Sequence, residues 1–310
     1  MRTPLGEFGD FDFALAPLKL RNRFWDSVFY DVGSLTLDDR KVLAPLTFEE
    51  GDIIVVSPSG AGQKIRHYKH TFRFMNKEGQ NIRAIVLAGV GSSVLGTAAL
   101  ARNVADTYNF DVAGIVTGYG GSDLITEALG GWFVFGALER AGRRFDNERL
   151  AKTPDVATLV DILLTNPPQL ELLVGHSKGS LLIDFVLEWF LDELQHVPAD
   201  SRYENLFNRL NIVTLGAVVS LPERFTNVRQ FMGELDEFGG ANSHQGVRFK
   251  EVAGAWHHLN PQLPPYIWQQ LNRQWRLGSY NHLDVSEVLR SKPDDFPERT
   301  VARNFALMRS

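Results

Sequence analysis

The strongest constraint in this chain is a recurring order in which a short, mostly apolar run is followed by a glycine-bearing loop. Ile82–Ala88 runs into Gly89-Val90-Gly91-Ser92-Ser93, and Val94–Tyr108 then reads as a helix. Phe110–Thr117 runs into Gly118-Tyr119-Gly120-Gly121. Leu170–Val174 runs into Gly175-His176-Ser177-Lys178-Gly179, and Ser180–Gln195 reads as a long apolar helix. Apolar runs this short suit strands buried on both faces. Strands alternating with helices predict an α/β fold, a mostly parallel central sheet with helices on both faces and right-handed crossovers. Ligands of such sheets bind beyond the carboxyl ends of the strands. The loops 89–93, 118–121 and 175–179 are therefore expected along one rim.

Other segments fill in the pattern. Asp52–Val56 and Ile65–Phe74 read as strands, the second alternating only in part. Asp155–Leu164 reads as a helix, with Thr153 as N-cap, Pro154 at its first position and Pro167-Pro168 ending it. After Ser177 come three strand candidates, Leu210–Ala217, Val228–Met232 and Val247–Val252, and then a helical pattern over Pro264–Arg276. Residues 1–50 carry no readable pattern. No repeat or Pro/Gly/Ser-rich linker divides the chain, so residues 1–310 are expected to form one domain. The stretch 120–153 is long for a strand-to-helix connection and contains Trp132, Phe133 and Phe135. It reads either as a lid or pocket wall on the rim or as an added core helix.

Composition narrows the function. The net charge of -5 argues against a broad basic surface for nucleic acid. The count of zero cysteines excludes disulfides, thiolate metal sites and a cysteine nucleophile. No stretch approaches the roughly 18 apolar residues that span a bilayer, and no basic tract suggests a membrane anchor. The first residues lack the uninterrupted apolar core of a signal peptide. A cytoplasmic location without a membrane span is the expectation.

The turn at Ser177 carries the chemistry. A serine with glycines two before and two after it is a weak pattern alone, and its weight comes from lying between an apolar strand and an apolar helix. A nucleophile on such a turn is pushed out of the sheet, the small flanking residues let strand and helix close around it, and the helix start offers backbone N–H groups. The bland reading is a glycine-bounded turn with an incidental serine. A phosphate-binding loop is a poorer fit, because no Gly-Lys-Ser/Thr ending has the required spacing, and neither glycine loop matches the dinucleotide fingerprint.

From about Ile82 to about Gln262 the sequence resembles the α/β-hydrolase superfamily, in its esterase and lipase branch. The resemblance implies an α/β-hydrolase fold and a triad in the chain order Ser, then Asp or Glu, then His. It places the acid after Val228–Met232, where Asp236 is expected and Glu234 is the alternative. If Phe225–Phe238 were instead a helix, Asp236 would be a surface charge. It places the histidine after Val247–Val252, where Gly254-Ala255-Trp256-His257-His258 makes His257 the first candidate. His282 and His258 are the alternatives. Asn281-His282-Leu283-Asp284 is similar to the histidine segment of some bacterial triacylglycerol lipases, in which the aspartate serves a calcium site, but no second acidic partner for Asp284 is readable.

The resemblance further implies an oxyanion hole from the backbone N–H groups of Lys178 and Val90, and no cofactor or metal. Trp132, Phe133 and Trp256 are the candidates to line an apolar acyl pocket. His176 is expected to be structural or pocket-lining. His67 and His70 lie an odd number of residues apart on an expected strand, which argues against a metal pair. The function expected is a serine hydrolase cleaving carboxylic esters, with a small-molecule ester of lipophilic acyl group as its partner. The alternatives are an acyltransferase, thioesterase or amidase on the same triad, and a non-catalytic ligand-binding protein on the same fold.

Overall fold

The structure is a computed structural model. It describes residues 23–302 apart from 24, 45–47, 90–91, 118–152, 196–201 and 264–280, the last except for 269 and 273. In chain order the strands are β1 (Ile53–Val56), β2 (Arg66–Tyr68), β3 (Ala84–Leu87), β4 (Val112–Ile115), β5 (Leu172–His176), β6 (Asn211–Leu215), β7 (Val228–Gly233), β8 (Arg248–Val252) and β9 (Glu298–Thr300). The helices are α1 (Leu37–Val42), α2 (Thr71–Lys77), α3 (Val94–Tyr108), α4 (Pro154–Thr165), α5 (Lys178–Gln195), α6 (Arg202–Arg209), α7 (Glu237–Asn242) and α8 (Val285–Arg290). Residues 25–29 are also helical, and Val32–Ser34 form a short 3-10 turn.

The strands form one nine-stranded sheet in the order β2-β1-β4-β3-β5-β6-β7-β8-β9. The block from β4 to β8 is parallel throughout. Strand β1 is antiparallel to both of its neighbours, and β9 is antiparallel to β8. The architecture is therefore α/β with a mostly parallel, mixed sheet.

Alternation along the strands divides the core in two. Ile54, Val56, Ala84, Val86, Leu172 and Val174 join one apolar cluster with α3 and α8. Ile53, Val55, Ile85, Leu87 and Leu173 join a second cluster with α4, α5 and α6. Both faces being covered explains why β1, β3 and β4 are buried at every position. Each fully buried Val, Ile or Leu contributes roughly 1.5–3 kcal/mol. The sheet is thus the main stabilising element and the rigid base of the loops at its carboxyl edge.

The expected strand Ile65–Phe74 is corrected. Only Arg66–Tyr68 pairs in the sheet, and Thr71–Lys77 is a helix. Phe74 is fully buried whereas Phe72 is 75% exposed. Residues two apart share a face in a strand but not in a helix, so the burial pattern suits the helix. Within this segment His67 Nε2 donates to Asp52 Oδ2 at 2.7 Å, and His70 occupies the N-cap position of α2. The segment Phe225–Phe238 is not a helix: β7 occupies its middle. Most of the expected helix Pro264–Arg276 lies outside the described residues. Among the described residues no helix is long and apolar enough to cross a membrane.

Candidate active site

The turn after β5 is built by close packing. Strand β5 is hydrogen-bonded to β3 on one side and to β6 on the other, and α5 starts immediately beyond it. A Cβ on Gly175 would lie 2.6 Å from the Ser180 amide nitrogen, and one on Gly179 only 2.1 Å from the Leu87 carbonyl oxygen. Neither position has room for any side chain. Ser177 between them holds φ at 55°, a left-handed conformation that costs an L-residue roughly 1–2 kcal/mol. The Ser177 N–H donates to the Leu215 carbonyl at 2.8 Å, and the Ser180 N–H to the Ser177 carbonyl at 3.0 Å, which fixes the strained turn from both sides.

Two other strand ends bring polar side chains to this serine. Beyond β7, Asp236 is fully buried and caps α7, its Oδ1 accepting the Gly239 N–H at 2.6 Å. Beyond β8, the chain turns through Ala253 and Gly254, and Ala255 bridges in parallel to Asn281. His257 then points inward. Its Nε2 lies 2.8 Å from Ser177 Oγ, and its Nδ1 lies 2.7 and 2.9 Å from the two oxygens of Asp236. Ser177 and His257 are each 5% exposed, so the three side chains form a nearly dry hydrogen-bonded row. Gly216, at φ 67°, passes close beneath: a Cβ there would sit 3.0 Å from the His257 ring.

The alternatives to these residues are placed elsewhere. Glu234 accepts the Gly254 N–H at 2.8 Å on the exposed turn. His258 follows His257 at a bend and points elsewhere, its ring against Trp256 and His282. Burial pushes the His258 imidazole down to about 3. His282 is likewise lowered from its ordinary value, chiefly by burial. Asp284 caps α8 by accepting the Glu287 N–H at 3.0 Å. Among the described residues no group of three or more His, Cys, Asp or Glu side chains is placed to hold a metal ion.

Of the other expected site residues, Lys178 is the first residue of α5, directly after Ser177. Its side chain does not face solvent: it is buried, and its ammonium donates to the Thr117 carbonyl at 3.2 Å. Trp256 is 1% exposed and packs among core rings, with Phe29 and Phe238 at 6.0 and 5.9 Å between centroids. It backs the His257 loop from the core rather than presenting a wall to a ligand. Val90, Trp132 and Phe133 lie outside the described residues.

Three further residues belong to the site: His176, which the sequence marked as structural or pocket-lining, and Tyr30 and Asp26, which have no local sequence signal. Tyr30 comes from the segment before α1, and its phenol oxygen accepts the Gly89 N–H at 2.6 Å. Burial raises the phenol above its ordinary value, so it keeps its proton and donates it to His176 Nδ1 at 2.8 Å. Burial, with the neighbouring histidines, holds His176 well below its ordinary value and hence neutral. Its remaining proton, on Nε2, is donated to the His257 carbonyl at 2.9 Å. His176 therefore fixes the backbone of His257 from behind. The third residue, Asp26, is buried beneath the start of α3. It accepts from the Ser93 N–H at 3.1 Å, from the Ser92 hydroxyl at 3.0 Å and from the Ser93 hydroxyl. Burial pushes its carboxyl up to about 7, against the opposing effect of these donors.

No protein-family model matches this chain, and neither the curated proteins nor the solved structures yield a match.

Proposed function

We propose that this chain is a serine hydrolase of the α/β-hydrolase type that cleaves carboxylic esters through an acyl-enzyme. The observation that carries the reading is the row Ser177 Oγ, His257 and Asp236, with contacts of 2.8 and 2.7 Å, on a serine held at φ 55°. The three residues follow β5, β7 and β8 in the chain order Ser, Asp, His, which supports the α/β-hydrolase reading over other parallel-sheet folds.

In this mechanism Ser177 Oγ attacks the acyl carbonyl as His257 Nε2 takes its proton. Asp236 accepts the Nδ1 proton, keeps the ring in the tautomer whose Nε2 is free, and stabilises the imidazolium that forms. His257 then passes the proton to the departing alcohol, and water repeats the sequence in reverse to release the acid. The tetrahedral oxygen needs two backbone donors. The Lys178 N–H at the start of α5 is assigned as one, and the loop after β3, through Val90, as the other. The Gly89 N–H is already committed to Tyr30, which favours the following residue for that role. An apolar acyl group is assigned from the aromatic run Trp132, Phe133 and Phe135.

The test is labelling of the purified chain with a fluorophosphonate probe, alongside turnover of 4-nitrophenyl esters of increasing chain length. Labelling is expected to vanish in Ser177→Ala, to collapse in His257→Ala, and to persist in His258→Ala and His282→Ala. A folded parent that is neither labelled nor turns over any ester, thioester or anilide would overturn the reading.

A further inference from the structure

One helical turn near the start of the described chain engages the loop beside Ser177 at both of its ends. Asp26 and Tyr30 are four residues apart, the Tyr30 N–H donating to the Asp26 carbonyl at 2.8 Å, so both side chains leave the same face of the turn. Tyr30 holds the near end of the loop through the Gly89 N–H at 2.6 Å. Asp26 holds the far end through Ser92 and Ser93, where α3 begins.

The near end abuts the serine itself: a Cβ on Gly89 would lie 3.0 Å from Ser177 Cβ and 3.2 Å from the Tyr30 phenol oxygen. The same turn also meets the base. The ring of Phe29 stands edge-on to His257 at 5.8 Å, and the Phe29 carbonyl accepts the Leu259 N–H at 2.7 Å. The Ser27 carbonyl accepts from Asn260 at 2.7 Å. An aspartate buried completely and without a cation, as Asp26 is among the described residues, is unfavourable to the fold. Its donors come from Ser92, from Ser93 and from the Gly96 N–H in the first turn of α3, so what it provides is the position of that loop end and helix start.

We infer that Asp26 and Tyr30 are positioning residues, a clamp whose two jaws fix Gly89 and Ser93, the described ends of the loop to which the second oxyanion donor is assigned above. The inference rests on the serine hydrolase reading above. Neither side chain touches the reacting atoms. Both act by fixing a backbone donor before the reaction, and such preorganised donors act on the transition state far more than on bound substrate.

Tyr30→Phe removes one oxygen atom and keeps the ring, and Asp26→Asn keeps the shape of the carboxyl. Turnover of 4-nitrophenyl butyrate, fluorophosphonate labelling and thermal melting are measured on the parent, each variant and the double variant. Tyr30→Phe is expected to lower kcat about tenfold with KM within about twofold of the parent. The double variant is expected to lose less than the product of the two single losses, because either jaw alone releases the same loop. A structural role without positioning would lower the melting temperature and leave kcat of the folded protein unchanged. A labelled parent with Tyr30→Phe at parental kcat therefore overturns the clamp and leaves the hydrolase reading intact. An unlabelled, inactive parent overturns both. If Asp26→Asn does not fold, Tyr30→Phe decides the question alone.

Discussion

Replacing Asp236 by asparagine probes the site through one proton. Both carboxylate oxygens face His257, at 2.9 Å for Oδ1 and 2.7 Å for Oδ2, and Oδ1 also accepts the Gly239 N–H at 2.6 Å. An asparagine of the same shape has only one acceptor. The Gly239 amide can only donate, so the new amide oxygen takes the place of Oδ1 and the NH2 group takes the place of Oδ2. That NH2 group also only donates, so His257 Nδ1 must become an acceptor and the ring proton must move to Nε2. A ring protonated there donates to Ser177 Oγ and can no longer take its proton. The same exchange in serine proteases lowers kcat about 10⁴-fold, or about 5 kcal/mol in the barrier. We expect Asp236→Asn to lose roughly three to four orders of magnitude in kcat on a 4-nitrophenyl ester, with KM close to the parent. The assay is steady-state kinetics at pH 8, beside a melting curve to show the fold is kept. A folded variant within tenfold of the parent would refute the tautomer argument and, with it, the role given to His257 Nε2.

Three further outcomes follow from features of the fold. Ser177 holds φ at 55°, so Ser177→Gly should be more stable than Ser177→Ala by about 1 kcal/mol in urea unfolding, and an alanine variant of equal stability would contradict strain at the turn. A Cβ at Gly179 meets the Leu87 carbonyl oxygen at 2.1 Å and the Ala88 carbonyl oxygen at 2.8 Å, both backbone; Gly179→Ala should cost about 3 kcal/mol or more and abolish labelling, and a cooperative, labelled variant of parental stability would contradict the packing. The Asp26 carboxyl rises from 3.8 to about 7 on folding, so the unfolded chain loses its proton first as pH increases. This contribution leaves the fold unaffected below about pH 4 and weakens it progressively up to about pH 7, by about 4 kcal/mol in total. Urea midpoints at pH 4, 5, 6 and 7 should therefore fall more steeply in the parent than in Asp26→Asn, and parallel curves would contradict the buried, raised carboxyl.

What could be read from the residues depended on how local the physical requirement was. The turn at Ser177 announces itself because two glycines, an apolar strand and an apolar helix must coincide within a few residues, and packing at Gly175 and Gly179 is the reason. The centre of the parallel block was legible for the same cause: β3 and β4 are buried on both faces and apolar at every position. Asp236 and His257 were reachable only through chain order, since nothing local separates His257 from His258; in the structure their partners do, Ser177 for His257 and Trp256 for His258. The segment Ile65–Phe74 misled because its aromatic residues fall two apart, which mimics a strand until one is seen to be buried and the other exposed. Asp26 and Tyr30 could not be read at all. Their partners are 59 to 67 residues away at Gly89, Ser92 and Ser93, and 146 away at His176, and no periodicity encodes such contacts.

The hydrogen bond from Asn260 to the Ser27 carbonyl joins residues 233 apart in the chain. During synthesis at about 5–20 residues per second, roughly 12–47 seconds separate the appearance of these two partners. Throughout that interval the turn carrying Asp26 and Tyr30 lacks the loop that closes over it, although by its end every strand from β1 to β8 has been made. The histidine side of the site is thus completed late, and a chain released before residue 257 carries Ser177 on its turn without the base beside it.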